Sequence, residues 1–112
     1  MKTGCFFTYK GDRGVSIALS QPRDHSLTTY RKLLPTWAMI NNYKQDRDKR
    51  QATKDYEEVY RAEVLDKLDP FVVYAELNDS VILCWEKAGD FCHRRLVAEW
   101  LSETIGVKVP EL

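Results

Sequence analysis

The residues best suited to chemistry in this chain lie close together: Cys84-Trp85-Glu86, then Cys92-His93-Arg94 after a short loop. A cysteine near cations or a helix N-terminus is driven toward thiolate, the form that acts as nucleophile. Imidazole and carboxylate move protons, and a guanidinium grips phosphate or carboxylate with two parallel hydrogen bonds. On these grounds Cys92, His93 and Glu86 are the candidate catalytic residues. Arg94, Cys84, Trp85 and Asp90 are the candidate ligand-binding residues.

The elements that would carry them can be read from periodicity. Ser80–Trp85 is apolar on both faces, as a buried parallel strand is, and alternate residues of a strand share a face. Cys84 and Glu86 therefore point the same way. Lys87–Asp90 reads as a loop, with Asp90 a candidate N-cap for a helix running to about Ile105. Leu96, Val97, Trp100 and Leu101 form that helix's buried stripe. Cys92 and His93 lie one turn before Leu96 and Val97, on the same side. All these groups then meet at the C-terminal end of a strand, where ligands bind in open α/β sheets, beside free helical N–H donors.

The charges lean toward an anion. His93, Arg94 and Arg95 crowd the positive end of a helix dipole, each disfavoured there by roughly 0.3–1 kcal/mol. Arg95 has Glu99 four residues on, whereas Arg94 has Ala98 and so calls for a bound anion, Asp90 or Glu86. Each residue also has a structural reading. Cys84 can be an inert apolar residue of the strand, His93 a satisfied core histidine, and Glu86 a partner of Arg94 or Lys87. Metal binding by Cys84, Glu86, Cys92 and His93 is chemically open, but no C-x-x-C or H-x-x-x-H spacing supports it, so no metal is assigned. The C-x5-R phosphatase signature is absent too, because Asp90 stands where its arginine would be.

Composition bounds the rest. The 112 residues suit one domain, 1–112, with a proper core, and three Trp, six Tyr and four Phe argue against disorder. Seventeen basic residues balance seventeen acidic ones, which speaks against duplex nucleic acid as a partner. Three cysteines without a leader sequence point to free thiols in a reducing cytoplasm. No stretch approaches membrane-spanning length.

Upstream, residues 5–9 read as a strand, 15–19 as a strand or extended segment, 36–43 as a short helix and 44–54 as a solvated charged surface or helix lead-in. Tyr56, Tyr60, Val64 and Leu68 recur at four-residue steps, which predicts an amphipathic helix over Asp55–Leu68. Asp69 as N-cap with Pro70 at the first helical position predicts a second helix to Leu77. Gly106 suits the left-handed position after the last helix, and Val107–Val109 reads as a final strand completing a βαβ unit. The fold class expected is α/β: a small domain with a mostly parallel sheet and flanking helices.

The run from Leu83 to Arg94 and on through Leu96-Val97-Ala98-Glu99-Trp100-Leu101 resembles the family called domain of unknown function 488. Its members carry a strand ending in Cys-aromatic-Glu, a loop with Gly, and Cys-His-Arg opening a helix. Residues 30–37 and 63–70 resemble further segments of the family's small members. The resemblance implies an α/β fold and a shared pocket. It also marks a departure, since members often have Arg after Ser-Ile-Ala, where this chain has Leu19 after Ser16-Ile17-Ala18.

The function expected is binding of an anionic or nucleotide-like small molecule, with an enzymatic use open and no cofactor assigned. The alternative is a non-catalytic protein that binds a protein partner or sequesters a ligand. Oligomeric state is left open.

Overall fold

Val81-Ile82-Leu83-Cys84 has no polar side because it is the middle strand of a sheet and is buried along its whole length. The computed structural model describes residues 1–87 and 90–112. In it, β1 (Lys2–Cys5) and β2 (Gly14–Ser16) both pair in parallel with β3 (Val81–Cys84), giving the order β1-β3-β2. Cys5 is level with Cys84, and Ser16 with Leu83. Gly14 permits the β2–β3 approach: a Cβ there would stand 2.8 Å from a methyl of Leu83.

The α-helices among the described residues are α1 (Trp37–Gln45), α2 (Lys49–Glu63), α3 (Pro70–Leu77) and α4 (His93–Ile105); α4 packs on β1 and β3, α2 and α3 pack on α4, and α1 packs on α2. Thr36 caps α1 by accepting from the Met39 N–H, and Asp69 caps α3 by accepting from Phe71 N–H. Ile82 faces the larger apolar cluster with Tyr60, Leu96, Val97 and Leu101, while Val81 and Leu83 face a smaller one with Phe6 and Ala18. The α/β class, the parallel sheet, α3, the end of α4 and the left-handed Gly106 (φ 69°) agree with the sequence reading.

Several boundaries differ, each for a local reason. The first strand is Lys2–Cys5, because the N–H groups of Thr8 and Tyr9 turn back onto Cys5 O and Phe6 serves the core instead. The second ends at Ser16, whose Oγ accepts from Ala18 N–H and bends the chain. The amphipathic helix starts at Lys49, since Asp48 accepts from Arg50 and Gln51 N–H, and it gives way after Glu63 to a 3₁₀ turn over Leu65–Lys67. Val107–Val109 lies outside any described strand, so the C-terminal unit is βα. Glu111 instead makes a single parallel bridge to Thr3. The loop expected over Lys87–Asp90 falls in part, at Ala88 and Gly89, outside the described residues.

Candidate functional site

A cavity of about 430 Å³ opens at the C-terminal end of β3. Cys84, Trp85 and Glu86 enter it from the strand end, and Cys92 and His93 from the start of α4. Trp37, Tyr43, Lys44, Tyr56 and Phe91 also line it. The wall holds together through ring contacts, with Phe91 5.2 Å from Tyr56 and 5.5 Å from Tyr43 between centroids. Burial, with a further push from the Glu86 carboxylate, raises the Tyr56 phenol pKa, so its hydroxyl stays protonated.

His93 is buried and held in one tautomer. Its Nε2–H donates to the carbonyl of Ile17 at 2.6 Å, which leaves the Nδ1 lone pair 3.7 Å from the sulfur of Cys92. Burial lowers the imidazole pKa to about 4. The bond to Ile17 opposes that shift and the charge of Arg94 reinforces it, so the ring is neutral at physiological pH.

Cys84 and Cys92 are joined by a disulfide, and Cys5 is the free, buried cysteine. Three free thiols were the expectation from an odd cysteine count. The count was silent on the turn out of β3 that returns Cys92 to Cys84. Cys92 is also the N-cap of α4 in place of Asp90, with no side-chain cap bond among the described residues. Asp90 is exposed, sends its N–H to Lys87 O, and is not among the residues lining the cavity.

Arg94 is placed differently from its neighbours. Its side chain is fully buried, donating from Nε to Glu111 at 2.9 Å and from Nη1 to the sulfur of Cys84 at 2.9 Å. Nη2 is buried with no partner among the described residues. Arg94 thus reaches Cys84 from within the fold and does not line the cavity. Its acid comes from beyond the helix, not from the ligand, Asp90 or Glu86. The Arg95–Glu99 pair expected from spacing is not among the described ion pairs either; Glu99 pairs with Arg61 of α2 at 3.3 Å.

Trp85 is partly exposed, donating from its indole N–H to Ser20 O at 3.1 Å and packing edge-on against Phe6. The structure therefore brings Cys84, Trp85, Glu86, Cys92 and His93 to one cavity and leaves Arg94 and Asp90 out of its wall.

The chain matches the family model DUF488-N3a, described as the active DUF488-N3 subclade, over residues 5–105. It belongs to the DUF488 family. Searches of curated proteins and of solved structures each returned no significant match. Among the described residues, no helix is long and apolar enough to cross a membrane.

In this DUF488 chain, Leu19 lines the cavity. The position that often carries Arg in the family is thus an apolar part of the wall. Sequence reasoning missed Trp37, Tyr43, Lys44 and Tyr56, which come from α1 and α2. The one early signal of the three rings was the aromatic excess, since helical periodicity assigns Tyr56 to a core stripe; Lys44 lay in the stretch read as solvated. Glu111 had no signal at all.

Proposed function

We propose that the cavity binds a flat, nucleotide-like small molecule with an anionic end, and that Cys92 and His93 meet its reacting part. The carrying observation is the cavity itself: about 430 Å³, ringed by Trp37, Tyr43, Tyr56 and Phe91, with sulfur and imidazole at one end. That volume falls in the range of small-molecule sites, and a ring system stacked on an aromatic side chain gains roughly 1–3 kcal/mol. Among the described lining residues, Lys44 is the cation for the anionic end.

The enzymatic form of the reading uses the reduced chain. Cys92 is the thiol presented to the ligand, and the Nδ1 of His93 accepts a hydrogen bond from it or from a ligand donor. With its pKa lowered to about 4, His93 is a weak base, so it orients protons more than it stores them. Glu86, facing Tyr56, is the group left to carry a proton. The word active in the subclade's description supports a catalytic use of the site.

Thermal shift tests this with nucleotides and phosphate esters on the reduced chain. At least one should raise the melting temperature, and Trp37→Ala should weaken that ligand about tenfold without lowering the unliganded midpoint. Trp37 is 57% exposed, so its loss removes little packing. No shift from any member of the panel would overturn the reading. A non-catalytic role in binding a protein partner would then stand, favoured by Phe71 and Val72, which are adjacent and exposed at the start of α3.

A further inference from the structure

Sequence spacing assigns no metal, but the fold converges three donors. The sulfurs of Cys84 and Cys92 and a ring nitrogen of His93 lie within 4.8 Å of one another, all buried. The imidazole is already turned for ligation. Its Nε2–H is given to Ile17 O, so the free lone pair on Nδ1 faces the sulfurs. Metal-bound histidines are held in this way, with the outer N–H donated to a carbonyl or carboxylate.

The backbone spacing points in the same direction. The Cα atoms of Cys84 and Cys92 are 7.5 Å apart. Disulfides usually close over about 4.4–6.8 Å, whereas two thiolates each about 2.3 Å from one tetrahedral ion keep their sulfurs roughly 3.7 Å apart and suit a wider backbone separation. Charge also fits. Two buried thiolates need compensation, and the Arg94 contact to Cys84 supplies only part of it.

We propose that the reduced chain binds one zinc-like divalent ion through Cys84, Cys92 and Nδ1 of His93, with the fourth coordination position open to the cavity. Three protein ligands and an open position characterise catalytic more than structural zinc sites, and two thiolates with one imidazole select a soft-to-borderline ion. The disulfide must open first. Two electrons from a thiol or phosphine reductant and two protons from solvent yield two thiols, and metal binding then releases both protons. The inference does not depend on the ligand reading above; in the metal-loaded chain Cys92 and Nδ1 are ligands, and the thiol role given to Cys92 there belongs to the metal-free reduced chain.

The test uses the phosphine-reduced, metal-free chain and cobalt(II) alone, without organic ligand. One equivalent should bind, producing thiolate-to-cobalt charge-transfer bands and the strong d–d bands of a tetrahedral site, and one equivalent of zinc should displace it. Cys84→Ser and Cys92→Ser should each weaken binding about tenfold or more, while Cys5→Ser leaves it unchanged. A folded parent without these bands, or serine variants that bind as the parent does, would overturn the proposal. Should the serine variants not fold, the parent alone decides: zinc must slow alkylation of Cys84 and Cys92 but not of Cys5. Equal rates with and without zinc also overturn it.

Discussion

The ring of His93 is tied to the backbone carbonyl of Ile17 through a 2.6 Å hydrogen bond that joins α4 to the end of β2. A charged imidazole at this position would have to be buried beside Arg94, so the folded chain keeps it neutral. The unfolded chain has no such restriction and takes up a proton near the ordinary pKa of 6.5.

Stability in the absence of added metal should therefore depend on this group. Its contribution is complete above about pH 6.5 and is lost as pH falls toward 4, because only the unfolded chain gains a proton in that window. The two pKa values set the loss at roughly 3 kcal/mol. Urea unfolding at pH 7 and pH 4.5 checks it. His93→Gln, which keeps a donor for Ile17, should lose clearly less than the parent. An equal loss in both would show that other groups carry the acid sensitivity.

A second expectation concerns Arg94, whose charge is fully buried and paired with a carboxylate only a quarter exposed. Glu111→Ala should cost about 3 kcal/mol, since it leaves the cation in the core without its acid. Glu76→Ala, which removes the partly exposed acceptor of Lys32 and Tyr30, should cost clearly less. Denaturant midpoints at unchanged m-value compare the two. Similar losses would mean that the Arg94 pair is no stronger than a surface one.

Thiol reactivity gives a third. After reduction, Cys92 should alkylate well ahead of Cys5, because it caps α4 and lines the cavity. Cys5 should be slowest, being buried with its S–H directed at Trp85 O. Peptide mapping after timed labelling at neutral pH gives the order. Cys5 labelling ahead of Cys92 would contradict it.

Leu19 supplies the last. Arginine there should add a cation to the cavity wall and tighten an anionic ligand about tenfold, with an uncharged analogue unaffected. Calorimetry on the parent and on Leu19→Arg, with a nucleotide and its nucleoside, separates charge from stacking. An equal gain for both ligands would mean that the new side chain acts through packing.

Legibility in the sequence followed range. The cap at Asp69-Pro70, the buried strand at Val81–Cys84 and the stripe Leu96-Val97-Trp100-Leu101 are local patterns, and each names its element. Cys84, Glu86, Cys92 and His93 were also legible as neighbours, because one strand end and one helix start carry them. Arg94 was legible as a cation without an acid one turn on in its helix, but not as a core residue paired with Glu111. One step along a helix separates a side chain that faces the cavity from one that faces Glu111, and spacing alone does not fix that rotation. Trp37, Tyr43 and Lys44 were out of reach because they join the site through packing of α1.

The pairing of Arg94 with Glu111 also orders events during synthesis. Thr3 N–H bonds Pro110 O, Leu112 N–H bonds Thr3 O, and the Thr3 hydroxyl reaches the same carboxylate that Arg94 holds. Thr3 of β1 thus waits for a residue 108 positions further along the chain before its edge is covered. Until residue 111 emerges, a nascent chain that closes around β3 must enclose an uncompensated guanidinium. Early closure is therefore disfavoured, and the domain should complete its fold late, after translation has delivered the counter-charge.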